Sequence, residues 1–97
     1  MKYVVRLDFN DGVVVPDLRV ADFVNKYVET AGEIVIGSEL ILHEIRCRIK
    51  SGHILPTDIV IMDQWGTPHT LGRNARLTAE LYSSYQSIWE DQLYILL

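Results

Sequence analysis

The sequence predicts a small α+β domain in the order ββ-α-β-α-β-β-α, with its helices packed on a small mixed or antiparallel sheet. Three observations predict it. Lys2 to Phe9 alternate, placing Tyr3, Val5, Leu7 and Phe9 on one face, as in a half-buried strand. Val20, Val24, Tyr27, Val28 and Ala31 recur at helical spacing ahead of Gly32. Asp58 to Asp63 reads DIVIMD, a continuous apolar run bounded by acids, as expected of a central strand covered on both faces.

The chain has 97 residues, of which 48% are hydrophobic, so it has material for one real core. A domain of this size buries roughly two-thirds of the surface its unfolded chain exposes, so residues 1–97 are expected to form a single compact domain.

In chain order, Asn10-Asp11-Gly12 supplies turn residues, and Val13 to Val15 are expected to return as a short antiparallel strand. Asp17 stands where a helix N-cap is needed, and Leu18 to Ala31 reads as an amphipathic helix ending at Gly32. Ile34 to Ile36 suit a strand. The segment Glu39–Lys50 carries two patterns: Ile41, His43, Ile45, Cys47 and Ile49 alternate as in a strand, which would make the domain mostly β, yet Ile41, Leu42, Ile45 and Ile49 also share a helical stripe. Ser38 as N-cap, Glu39 in the first turn, basic residues in the last turn and Gly52 beyond it favour the helix. After the DIVIMD strand, Gln64 to Pro68 form a turn and His69 to Leu71 a short partner strand. From Leu77 or Thr78 onward, Leu81, Tyr82, Tyr85, Ile88, Trp89, Leu93 and Leu96 fall on one broad face of a last helix.

Charge and composition exclude several function classes. A formal charge of −4 and a pI near 5.2 argue against a general nucleic-acid binder, which needs a basic face for phosphates. No run approaches the ~20 apolar residues of a membrane span, and the opening MKYVVRLDFNDG lacks the apolar core of a signal peptide. The single cysteine, Cys47, rules out an internal disulfide and suits the reducing cytoplasm.

Residue type and spacing point to four candidate chemistries. His43 and Cys47, one helical turn apart, with His53 and His69 would make a Cys-His metal set, but only the first pair has ligand spacing, so neither a metal nor a cofactor is expected. Asp8, Asp11, Asp63 and His69 lie at or beyond strand ends, where acid/base groups are often held. No nucleophile elbow, phosphate loop or dinucleotide fingerprint accompanies them, so the chain leans away from catalysis. Gly72-Arg73-Asn74-Ala75-Arg76 precedes the last helix, where an anion such as a nucleotide would be clamped by Arg73 and Arg76, with Trp65 as a stacking face and His69 nearby.

The fourth chemistry is protein binding. Tyr82, Tyr85, Trp89, Tyr94, Leu96 and Leu97 give the last helix more apolar surface than one core-facing stripe requires, and Tyr and Trp dominate interface energy. The expected function is therefore that of a non-enzymatic interaction or regulatory protein that docks on a partner protein or on a second copy as a homodimer. The alternative is a small-ligand domain taking an anion or nucleotide in the 63–76 loop, with a small hydrolase as its extension.

Overall fold

The computed structural model describes residues 2–76. Tyr3–Leu7 (β1) is followed by a single 3-10 turn at Asp17–Arg19, the helix Val20–Thr30 (α1), the strand Gly32–Ile36 (β2) and the helix Glu39–Lys50 (α2). A second 3-10 turn, Pro56–Asp58, leads into Ile59–Met62 (β3) and the two-residue strand Pro68–His69 (β4). The expected α+β class holds: two helices accompany one mixed four-stranded sheet. The expected last helix, with the interface residues Tyr82 to Leu97, lies outside the described residues.

Strand order is β2-β1-β3-β4, with β1 parallel to both β2 and β3, and β4 antiparallel to β3. Alternation decides the faces. Tyr3, Val5 and Leu7 of β1, Ile36 of β2 and Ile59 and Ile61 of β3 join Val20, Val24 and Tyr27 of α1 and Ile41, Leu42, Ile45 and Ile49 of α2 in one buried cluster. The residues between them, Val4, Arg6, Val35, Val60 and Met62, are half-buried or exposed. The DIVIMD segment is thus an interior strand whose alternate residues are less buried, rather than one fully covered on both faces. Both helices contribute to the same core because their apolar stripes match the face of the alternating strands.

The first correction concerns the opening hairpin. Asn10-Asp11-Gly12 does turn the chain: the Asp8 carboxylate accepts from the Asn10 and Asp11 amides at 3.0 Å, and the Gly12 amide donates to the Asp8 carbonyl at 2.8 Å. The chain does not return along β1. Val13 instead forms a bridge to Ile36 on β2, donating to the Val35 carbonyl at 2.9 Å and accepting from the Gly37 amide at 2.9 Å. Gly12 permits this crossing, since a Cβ there would lie 2.3 Å from the Ile36 carbonyl carbon. Turn residues dictate that a chain reverses; they do not dictate which strand receives it.

The helix ends also differ from expectation. Ser38 stands at the N-cap of α2 as expected, but Asp17 does not cap α1: it lies in the 3-10 turn, Arg19 takes the N-cap, the helix begins at Val20 rather than Leu18, and neither the Asp17 nor the Ser38 side chain makes a capping hydrogen bond. At the other end of α1, Ala31 shares the left-handed backbone region with Gly32, at φ 58° and 89°, and Gly32 opens β2 directly. The α2 terminus behaves as read: Gly52 has φ 85° and donates to the Ile49 carbonyl at 3.1 Å.

Tyr27 ties α1 to the sheet. Its ring meets Tyr3 edge-on at 5.3 Å, and its hydroxyl lies 2.8 Å from the Gly32 carbonyl and 3.3 Å from that of Val4. Burial holds the phenol far above its usual pKa. Tyr27→Phe leaves the ring contact intact and removes the donor, so urea denaturation should show a loss of about 1 kcal/mol. No helix among the described residues is long and apolar enough to cross a membrane.

Candidate functional site at the carboxyl ends of the parallel strands

The parallel strands β1 and β3 are adjacent although β2 lies between them in sequence, so the chain crosses from one edge of β1 to the other. In open sheets built this way, ligands settle beyond the carboxyl ends of the strands where the connections diverge. An open cleft of about 570 Å³ occupies that place, walled by Arg6 and Asp8 of the β1 end, Asn10 beyond it, Val35 of β2, and the β3–β4 turn with Gln64 and Trp65.

Asp63 builds the turn. It follows β3, remains 7% exposed, and accepts from the Trp65 and Thr67 amides at 2.9 Å through Oδ1 and from His69 through Oδ2 at 2.9 Å. An ionised carboxylate only accepts, so the histidine proton sits on Nε2. Burial alone would push the Asp63 carboxyl upward; the hydrogen bonds from His69 and from the Thr67 and Trp65 amides outweigh it and hold it below the usual carboxylate range. The Asp63 amide also donates to the Thr67 carbonyl at 3.0 Å, and the Gly66 amide, at φ 83°, returns to the Asp63 carbonyl. This locked turn presents Trp65, 67% exposed, to the cleft.

The residues singled out in the sequence separate into two groups. Asp8, Asp63 and Trp65 line the cleft, and His69 stands behind it, 5% exposed and bonded to Asp63. Arg73 and Arg76 are exposed and do not line it. They flank Ala75, which is buried at φ 55° and whose carbonyl accepts from Arg46 Nε at 2.7 Å, so α2 holds this stretch in place. The Cys-His set is dispersed: Cys47 Sγ lies 3.7 Å from His43 Nε2 on the surface of α2, His53 Nδ1 lies 2.7 Å from the Ser51 hydroxyl, and His69 is committed to Asp63. No group of three or more metal-ligating side chains forms among the described residues.

Asn10, Gln64, Val35 and Arg6 were not singled out in the sequence. The signal that would have found them is the strand-helix-strand-helix-strand order from β1 to β3, which brings strand ends together once the strands are parallel. The expected hairpin at Val13 concealed it.

Chemically, the carboxylates serve structure first. Asp63 is saturated, Asp8 holds its own turn through Oδ1, and the Arg6 guanidinium pairs with Glu33. The Asp63 and His69 side chains are both almost fully buried, and the hydrogen bonds of the Asp63 carboxylate are made within the turn. Comparison with known proteins gives no match, whether by family model, among curated proteins or among solved structures.

Proposed function

We propose that the protein is a non-enzymatic cytoplasmic interaction protein that works by docking on a partner protein or on a second copy of itself. The observation that supports this reading is the apolar segment at the outer edge of β2. Val14 is 68% exposed and Leu18 94% exposed, and Val13, which opens the segment, is itself exposed while bridging to Ile36 of β2. A small domain rarely leaves aliphatic side chains this open in one segment unless a partner covers them. Val13 bonds to Val35, which walls the cleft, so the apolar edge and the cleft adjoin.

Leu18→Asp tests the reading. The side chain contributes nothing to the buried core, so stability should change by no more than about 0.5 kcal/mol while association weakens. Light scattering over a concentration series measures self-association; a mass that rises with concentration for the wild type and stays monomeric for Leu18→Asp supports the homodimer. Identical monomeric behaviour in both removes it and leaves the heterologous partner.

A second reading is favoured by the exposed indole of Trp65 and the exposed Arg73 and Arg76: a small ligand bound on the 63–76 loop, outside the cleft. A thermal-shift panel of nucleotides and phosphates tests it. Saturation at a hundred times the dissociation constant stabilises by about 2.7 kcal/mol. If Arg73 and Arg76 clamp such an anion, Arg73→Ala and Arg76→Ala abolish the shift.

A further inference from the structure

We infer that the cleft at the ends of β1 and β3 is a recognition pocket for an arginine side chain presented by the partner. The inference rests on the partner-binding reading above and names what the partner brings.

Charge is the first ground. Two carboxylates, Asp8 and Asp63, and one guanidinium, Arg6, line the cleft, and Arg6 is already paired with Glu33. The local balance is therefore negative, on a chain whose formal charge is −4. Asp63 spends its oxygens on Trp65, Thr67 and His69. Asp8 differs: Oδ1 takes the Asn10 and Asn10-adjacent Asp11 amides, while Oδ2 has no protein partner among the described residues. Asp8 is half-buried and lines the cleft, so its second carboxylate oxygen is available to a donor brought by a ligand.

Shape and polarisability are the second. Trp65 stands open on the locked β3–β4 turn, offering an indole face at the rim. A guanidinium is planar, stacks on an indole, and directs its edge N–H groups at a carboxylate, so one group satisfies both features. An ammonium lacks the plane, and an anion would meet Asp8. Val35 receives the aliphatic stem, as long cationic side chains bury their methylenes against apolar surface.

The probe is the peptide acetyl-Gly-Arg-Gly-amide, with citrulline and lysine versions as controls, followed by two-dimensional amide NMR of the full chain. The Trp65 indole resonance is assigned by its loss in Trp65→Phe. The arginine peptide should shift that resonance and the Gly66 and Asn10 amides saturably, in the millimolar range expected of one side chain. The citrulline peptide, which keeps shape without charge, should bind about tenfold more weakly, and Asp8→Asn, which keeps the Oδ1 acceptor and so the turn, should weaken the arginine peptide by a similar factor. Trp65→Ala, at an exposed turn tip, should abolish binding and keeps the test valid if Asp8→Asn disturbs the loop. Equal shifts with citrulline, an unchanged affinity in Trp65→Ala, or no shift at tens of millimolar would overturn the pocket. In that event a loss of partner binding in Leu18→Asp would still stand, so the two readings fail separately.

Discussion

Gly12→Ala is expected to lower stability by about 4 kcal/mol or more, enough to leave a domain of this size largely unfolded at physiological temperature. The reason is steric and lies in the backbone. A Cβ at Gly12 would stand 2.3 Å from the Ile36 carbonyl carbon, 2.4 Å from the Gly37 nitrogen and 2.5 Å from the Asp8 carbonyl oxygen. None of these is the free end of a side chain, so relief requires moving β2, the turn after β1, or both. The Val13 hydrogen bonds to Val35 and Gly37 would open in the process. Gly72→Ala is the matched control: no atom of the described residues lies within 4 Å of its Cβ position and its φ is not positive, so its change should stay within about 0.5 kcal/mol. Urea denaturation of the two variants beside the wild type gives the comparison, and near-equal stabilities would show that the loop does not cross β2 as described.

Asp63→Ala is expected to cost about 3 kcal/mol, seen as a melting temperature lower by about 15 °C. Three donors lose their acceptor: the Trp65 and Thr67 amides and Nε2 of the buried His69. Asp63→Asn retains an acceptor for the two amides and should lose less, about 1–2 kcal/mol. The pH dependence follows from the direction of the Asp63 shift. Its carboxyl sits lower in the folded chain than in the unfolded one, so the unfolded state takes up the proton first as pH falls. The stabilisation is complete above the unfolded carboxyl value of about 4 and is lost progressively below it. Stability measured from pH 6 to pH 2 should therefore fall more steeply in the wild type than in Asp63→Asn. Parallel curves would mean that the turn is held by something other than this carboxylate.

Much of the fold was legible because local patterns decide local structure. The helix Glu39–Lys50 matches the segment its end signals marked, since basic residues in the last turn and Gly52 beyond it fit only a helix. Tyr3, Val5 and Leu7 fell on the buried face that their alternation assigned. The sheet's connectivity was not legible. An Asn-Asp-Gly turn is equally compatible with a hairpin and with the longer crossing to β2, and the choice is made by contact between Gly12 and Gly37, far apart in sequence. The same gap hid the cleft. Asp8 and Asp63 were recognised at strand ends, but only parallel pairing of β1 with β3 puts them on one cleft, and only the closed turn shows that His69 supports Asp63 from behind while Trp65 faces the cleft. The apolar exposure of Val14 and Leu18 was likewise invisible, because Leu18 reads as the first residue of the helix and instead stands in a 3-10 turn ahead of it.

Docking on a partner is tested most directly by affinity capture from the native host with wild-type and Leu18→Asp chains side by side, each first shown to be folded. A binding protein of the proposed kind retains a defined protein in stoichiometric amount, or a second copy of itself, and the Leu18→Asp chain loses it. Retention of the same protein by both chains would move the interface away from the β2 edge. A wild-type chain that is monomeric at every concentration and retains nothing would contradict the proposed function itself.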